Sequence, residues 1–157
     1  MNKITLQEID SKNFFQCIML KSKNYKGYHL FEEHVASNAF SIAQSKVEPD
    51  WITKAIYNTE NQMVGFAMYG LSPLLNVYFI TRLMIDYKFQ GNGYGKQAML
   101  EIIEEMKRLY SCEEIYTSFV PTNERAKKLY MGLGFQDTGR EVEFGGETEP
   151  LYCLKFR

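Results

Sequence analysis

Three glycines at alternate positions punctuate FQGNGYGK, residues 89–96, between an apolar strand-like run and a run of helical periodicity. Glycines so placed let the backbone curl and expose consecutive N–H groups, and a helix that follows adds the positive end of its dipole. The chemistry this suits is the holding of a phosphate or pyrophosphate. Spacing excludes two common phosphate motifs. A P-loop requires Gly, four residues, then Gly-Lys-Ser/Thr, but Gln90 occupies the first glycine position and Gln97 stands where the Mg²⁺-binding hydroxyl belongs. A dinucleotide fingerprint starting at Gly91-Asn92-Gly93 requires a third glycine at position 96, which is Lys96. Downstream, Asn123 and Tyr130 are seven apart on one expected helix, nearly two turns, so both side chains leave the same face about 10 Å apart.

These residues need a scaffold, and the periodicity supplies one. Apolar residues at helical spacing mark a first helix from Lys12 to Lys21, through Phe14, Phe15, Ile18, Met19 and Cys17, with Asp10 or Ser11 as its cap. A second helix is expected from Phe31 to Ser45. Trp51–Tyr57 and Met63–Tyr69 read as an antiparallel hairpin around NTENQ, in which Gly65 marks a close approach. Val77–Ile85, VYFITRLMI, has the continuous apolar character of a strand buried on both faces. After the glycine loop, Ala98, Met99, Ile102, Ile103, Met106, Leu109 and Tyr110 form the apolar stripe of an amphipathic helix. Glu114–Val120 is a further strand, Asn123 caps a helix ending at Gly134, and Phe135–Glu143 and Glu149–Phe156 are strands joined at Gly145-Gly146. The order is that of a mixed α/β domain spanning residues 1–157.

Composition narrows the function classes. The 157 residues carry a net charge of −1 and their basic residues are scattered, so no nucleic-acid partner is expected. No segment approaches the roughly 20 apolar residues of a membrane span, and the first ten residues lack a signal-peptide core, so a cytoplasmic protein is expected. Cys17, Cys112 and Cys153 are widely spaced and odd in number, which indicates reduced thiols and neither a disulfide framework nor a metal site.

Gln90-Gly91-Asn92-Gly93-Tyr94-Gly95 resembles the Q/R-x-x-G-x-G/A signature of the GNAT superfamily of acyl-CoA-dependent N-acetyltransferases. Asn123-Glu124-Arg125-Ala126-Lys127-Lys128-Leu129-Tyr130, followed by Gly134-Phe135, is similar to the family's N-x-x-A-x-x-L-Y…G-F block. HVASNAFSIAQS, AIYNTENQMVGFAMYGL and LMIDYKFQGNGYGK look most like bacterial spermine/spermidine acetyltransferases. The resemblance implies a GNAT fold, a mixed and mostly antiparallel sheet flanked by helices, with acetyl-CoA held where central strands splay. It implies that the backbone from Gly91 to Lys96 cradles the pyrophosphate. It further implies that the edges of Leu83, Met84 and Ile85 pair with the pantetheine, with a backbone N–H there facing the thioester oxygen. Asn123 then touches the pantetheine arm, and Tyr130 protonates the departing thiolate. The acceptor is a primary amine of spermidine or spermine, and the assembly a homodimer.

One position departs from that pattern. Polyamine acetyltransferases often carry an Asp or Glu nine residues before the Gln/Arg of the loop signature, and here that residue is Thr81. Threonine cannot take the proton that an amine of pKa near 10.4 must lose before it attacks. Glu32, Glu33 and Glu143 are substitutes by charge alone, and with Thr81 they are the candidate substrate-binding residues. The acidic positions Glu32, Glu33, Glu141, Glu143, Glu147 and Glu149 read either as solvated surface or as residues that flank the path of a cationic acceptor, and both readings stay open. Read without the resemblance, Asn123 is an N-cap and Tyr130 a core residue. Two alternatives stay open: acetylation of another amine (a protein N-terminus, a lysine or an antibiotic), and a non-catalytic acyl-CoA-binding module.

Overall fold

In the computed structural model, which describes residues 2–23, 37–144 and 146–156, seven strands form one sheet in the order β1-β2-β3-β4-β5-β7-β6. The strands are β1 (Ile4–Glu8), β2 (Trp51–Asn58), β3 (Met63–Leu71), β4 (Tyr78–Ile85), β5 (Glu114–Ser118), β6 (Gln136–Phe144) and β7 (Glu147–Lys155). The helices are α1 (Phe14–Ile18), α2 (Asn38–Val47), α3 (Tyr94–Tyr110) and α4 (Glu124–Gly132). Every neighbouring pair is antiparallel except β4 and β5. One face of the sheet packs on α3 and α4 through Met99, Ile102, Met106 and Tyr130. The other packs on α1 and α2 through Cys17 and Ile42 against Phe66, Phe79 and Leu151.

Most elements follow the sequence expectations, and the exceptions have physical causes. β1 carries no expectation from the sequence. Its alternation, Ile4 and Leu6 against Thr5 and Gln7, is too short to stand out, and it forms by pairing along β2 with Ile4 opposite Asn58. The first helix is shorter than Lys12–Lys21. The buried Asp86 captures the Lys21 N–H at 3.0 Å and Tyr87 N–H donates to the Lys21 carbonyl, so the chain leaves its helix to fasten onto the end of β4. Phe14 and Phe15 stay exposed, and Cys17 is the buried residue of α1. The second helix starts at Asn38, capped by the Ser37 hydroxyl, which accepts from Phe40 N–H; residues 31–36 of its expected span lie outside the described residues.

β4 departs from the expectation of burial on both faces. Only Phe79 and Ile80 are fully buried, and residues 81–85 are partly open. The cause is a parting of strands. Opposite β3, Met68 pairs with Arg82 and Tyr69 with Ile80, so Thr81 is the extra residue of a β-bulge. A bulge bends its strand and increases the local twist. β4 meets β5 only at Phe79↔Tyr116 and Ile80↔Thr117, and beyond these pairs the two strands splay.

Gly65 is the close approach that its place in the hairpin implies. A Cβ there would lie 2.4 Å from the Met84 carbonyl oxygen and 2.9 Å from Ile85 Cδ1. Gly65→Ala is therefore expected to destabilise the fold by about 1–3 kcal/mol, by forcing β3 from β4. A urea midpoint equal to the parent's would show that the sheet yields at this point.

Candidate active site

The splay between β4 and β5 is not an empty gap in the core but one wall of a cavity of about 710 Å³. Ile85 leads through a 3₁₀ turn, Tyr87–Phe89, into the glycine loop, and the loop turns into α3. Gly91 and Gly93 have φ values of +82° and +80°, left-handed conformations that L side chains rarely adopt. Gly93 is itself the N-cap of α3, so the helix's first free N–H groups open onto the cavity. Gly91, Gly93, Tyr94, Gly95 and Lys96 all line it. Asn92 does not. Its side chain is turned back onto the loop, with Nδ2 donating to the Phe89 carbonyl at 3.0 Å.

Gln90 serves the loop in a way its motif position does not reveal. Its amide donates to the carbonyls of Ser22 and Ile85, at 2.6 and 2.9 Å, and its Oε1 accepts from Arg125 at 3.0 Å. One side chain thus ties the end of β4, the segment after α1 and the first turn of α4 around the cavity. Arg125, Lys23 and Lys96 supply three cations to the lining, and no carboxylate stands among its described residues. Lys23 and Arg125 were not singled out from the sequence. Arg125 lies inside the quoted downstream block, whereas Lys23 carried no local signal.

Along the β4 wall the backbone alternates. Asp86 N–H donates to the Val64 carbonyl, which fixes the ladder phase: Met84 faces its β3 partner, while the N–H and C=O groups of Leu83 and Ile85 turn toward the splay. The Ile85 carbonyl is already taken by Gln90. Among the described residues, the Leu83 groups and the Ile85 N–H remain as an open edge of polar backbone. Of the three residues expected to present an edge, two do so through their backbone; Met84 also lines the cavity.

α4 closes the opposite side. The Asn123 side chain accepts from Ala126 N–H at 3.1 Å and also lines the cavity, so it is both cap and wall. Tyr130 lies on the same face, as the seven-residue spacing requires, and only 7% of it is exposed. Its ring packs between Phe119 and Phe135, with centroids 5.6 and 5.7 Å away. Burial pushes the phenol pKa up to about 12; the adjacent Thr117 hydroxyl works against this, and the Glu149 charge adds to it. The hydroxyl therefore keeps its proton at neutral pH.

The expected substrate-binding residues scatter. Thr81, at the bulge, accepts from Arg82 Nη1 at 2.6 Å. Glu143 is exposed on β6 and alternates with Val142 and Phe144, which pack into the α1/α2 side, so its side chain leaves by the other face. The structure does not bring it to Thr81. Glu32 and Glu33 lie outside the described residues. Among the described residues no helix is long and apolar enough to cross a membrane.

The model of the Acetyltransferase (GNAT) family matches residues 11–135. The chain belongs to the GNAT family. Among curated GNAT relatives, "Spermine/spermidine N(1)-acetyltransferase" of Bacillus subtilis strain 168 is 39% identical over 94 residues. That match spans 56% of this chain and 61% of the relative. An engineered form of the spermidine N-acetyltransferase SpeG from Vibrio cholerae superposes with a TM-score of 0.72 at 13% identity, over 98% of this chain and 95% of that one. The NatC complex bound to Gag peptide and CoA contains a chain with a TM-score of 0.69 at 19% identity, over 99% of each. At such identities the structural likeness concerns the fold alone.

Proposed function

We propose that this protein transfers an acetyl group from acetyl-CoA to a primary amine of a small polyamine such as spermidine or spermine. The observation that carries this reading is the single cavity joining the glycine loop, the open edge of Leu83 and Ile85, and the Tyr130 hydroxyl. Its chemistry fits acetyl-CoA: left-handed glycines turn backbone N–H groups toward the cavity, and among the described residues its lining carries three cations and no carboxylate, which suits phosphates. When bound, acetyl-CoA supplies the acetyl group as an activated thioester. Gly91 to Lys96 hold the pyrophosphate. Leu83, deeper in the splay than Ile85, offers its N–H to the carbonyl oxygen on which charge develops. Asn123 steadies the pantetheine arm, and Tyr130 gives its proton to the leaving sulfur.

The acceptor enters from the α1/α2 side of the sheet, where Glu149 on β7 and Glu48 at the end of α2 bring negative charge to the Arg82 guanidinium of β4. The substrate named for the Bacillus subtilis relative supports a polyamine there. The working form we propose is a cytoplasmic homodimer; the exposed Phe15 and Phe40 on α1 and α2 support self-association. A thiol-release assay against polyamines, aminoglycosides, amino acids and N-terminal peptides tests the substrate. Polyamines are expected to react best, with KM rising between low and high salt, because partly exposed charges are screened over a Debye length of about 8 Å at physiological ionic strength. A peptide or antibiotic acetylated more efficiently than every polyamine would overturn the acceptor. Acetyl-CoA that raises thermal stability while no amine releases thiol would indicate a binding module instead.

A further inference from the structure

The missing acid at Thr81 leaves the acceptor's proton without a destination on β4, and the structure supplies one from across the splay. Glu149 lies on β7, where Leu151 and Cys153, two and four residues on, share its face and pack into the α1/α2 side, so its carboxylate stands on the acceptor side of the sheet. Ser118, the last residue of β5, donates its hydroxyl to Glu149 Oε2 at 2.6 Å. Ser118 directly follows Thr117, the last β5 residue to pair with β4, so the carboxylate is fastened where the strands part. Its charge reaches two groups on other elements, the Tyr130 phenol of α4 and the Arg82 guanidinium of β4. Arg82 is turned the same way: Nη2 reaches Gln44 of α2 at 3.5 Å, while its buried Nε has no partner among the described residues.

We infer that Glu149, fastened by Ser118 at the parting of β4 and β5, is the proton acceptor for the attacking amine, an assignment that rests on the acetyl-transfer reading above. The acceptor arrives as an ammonium ion. Glu149 takes one proton, and the freed nitrogen lone pair forms the bond to the acetyl carbon as the carbon–sulfur bond breaks. Tyr130 gives its proton to the departing sulfur. The second proton leaving the nitrogen restores the phenol through solvent, and the proton on Glu149 passes to water. Base and acid thus stand on opposite faces of one splay, as a displacement between two substrates entering from opposite sides requires. Among the described residues, the charged and titratable groups around Glu149 are Arg82 from β4, Tyr130 from α4, Glu147 two residues along β7, and Glu48 at the end of α2, whose charge acts on Arg82.

Glu149→Gln tests the assignment. At pH 7, kcat/KM for the best amine is expected to fall at least about tenfold, with acetyl-CoA affinity by calorimetry and melting temperature near the parent's. The deficit should narrow as pH rises from 7 to 9. Below an amine pKa of about 10.4 the uncharged fraction grows about tenfold per pH unit, and an amine already neutral needs no base. Glu149→Asp, which keeps a carboxylate, should recover part of the rate and the parent's flatter profile. Equal rates for Glu149→Gln and parent, or a loss of the same factor at pH 7 and pH 9, would overturn the assignment while acetyl transfer stood. A parent that acetylates no amine overturns both.

Discussion

Tyr130→Phe is expected to lower kcat by about 10²-fold or more while leaving acetyl-CoA affinity near that of the parent. The substitution keeps the ring between Phe119 and Phe135 and removes only the hydroxyl. An interaction needed mainly in the transition state lowers kcat and kcat/KM together and barely moves ground-state binding. The hydroxyl has a proton to give at working pH because folding makes it harder to ionise. Burial raises its pKa from 10.0 to about 12, so the proton is present throughout the working range and the acid limb should not appear below pH 10. The linkage has a sign: the folded value lies above the unfolded one. Any stability so gained is complete below pH 10 and is lost as pH rises toward 12. Equal turnover by variant and parent would demote Tyr130 to a packing residue.

Gly93→Val is expected to weaken acetyl-CoA binding by about 10²-fold or more. The cause is not a collision within the protein, since a Cβ at Gly93 meets no atom within 4 Å. Gly93 lines the cavity, so a branched side chain there would take up the place proposed for the phosphates. At φ +80° an L residue is also strained by about 1–3 kcal/mol, which tends to turn the N-cap and its N–H groups away from the ligand. Each charge-assisted hydrogen bond lost is worth about 1.5–3 kcal/mol, and 1.4 kcal/mol is tenfold in affinity. Melting temperature without ligand separates strain from lost binding. Calorimetry with an unaltered dissociation constant would remove the phosphates from this loop.

How much of this was legible in the chain depends on how local each signal is. The glycine loop, the stripe of α3, the β2–β3 hairpin and the Asn123 cap are written within a few residues each, and all four fold as their spacing implies. Gly65 was legible as a close approach because a hairpin brings its own neighbours together. Glu149 was different. The sequence placed it only in an acidic segment that could flank an acceptor's path, because nothing near it in sequence announces the Ser118 hydroxyl 31 residues away or the Arg82 guanidinium on another strand.

By itself, then, the sequence determined the family, the glycine loop at the strand–helix junction and the placing of Asn123 and Tyr130 on one helix face, since these need only helical and loop periodicities that the chain carries locally. Tertiary structure alone decided the rest. Register across strands sets which backbone groups of Leu83 and Ile85 face the splay and sends Glu143 to one face and Glu149 to the other, because a strand reverses its side chains at every residue. The bulge at Thr81 exists only in the pairing of β4 with β3, and past it β4 parts from β5 along the wall of the cavity. Asp86 ends the first helix by capturing a backbone 65 residues away, a competition that no local propensity records.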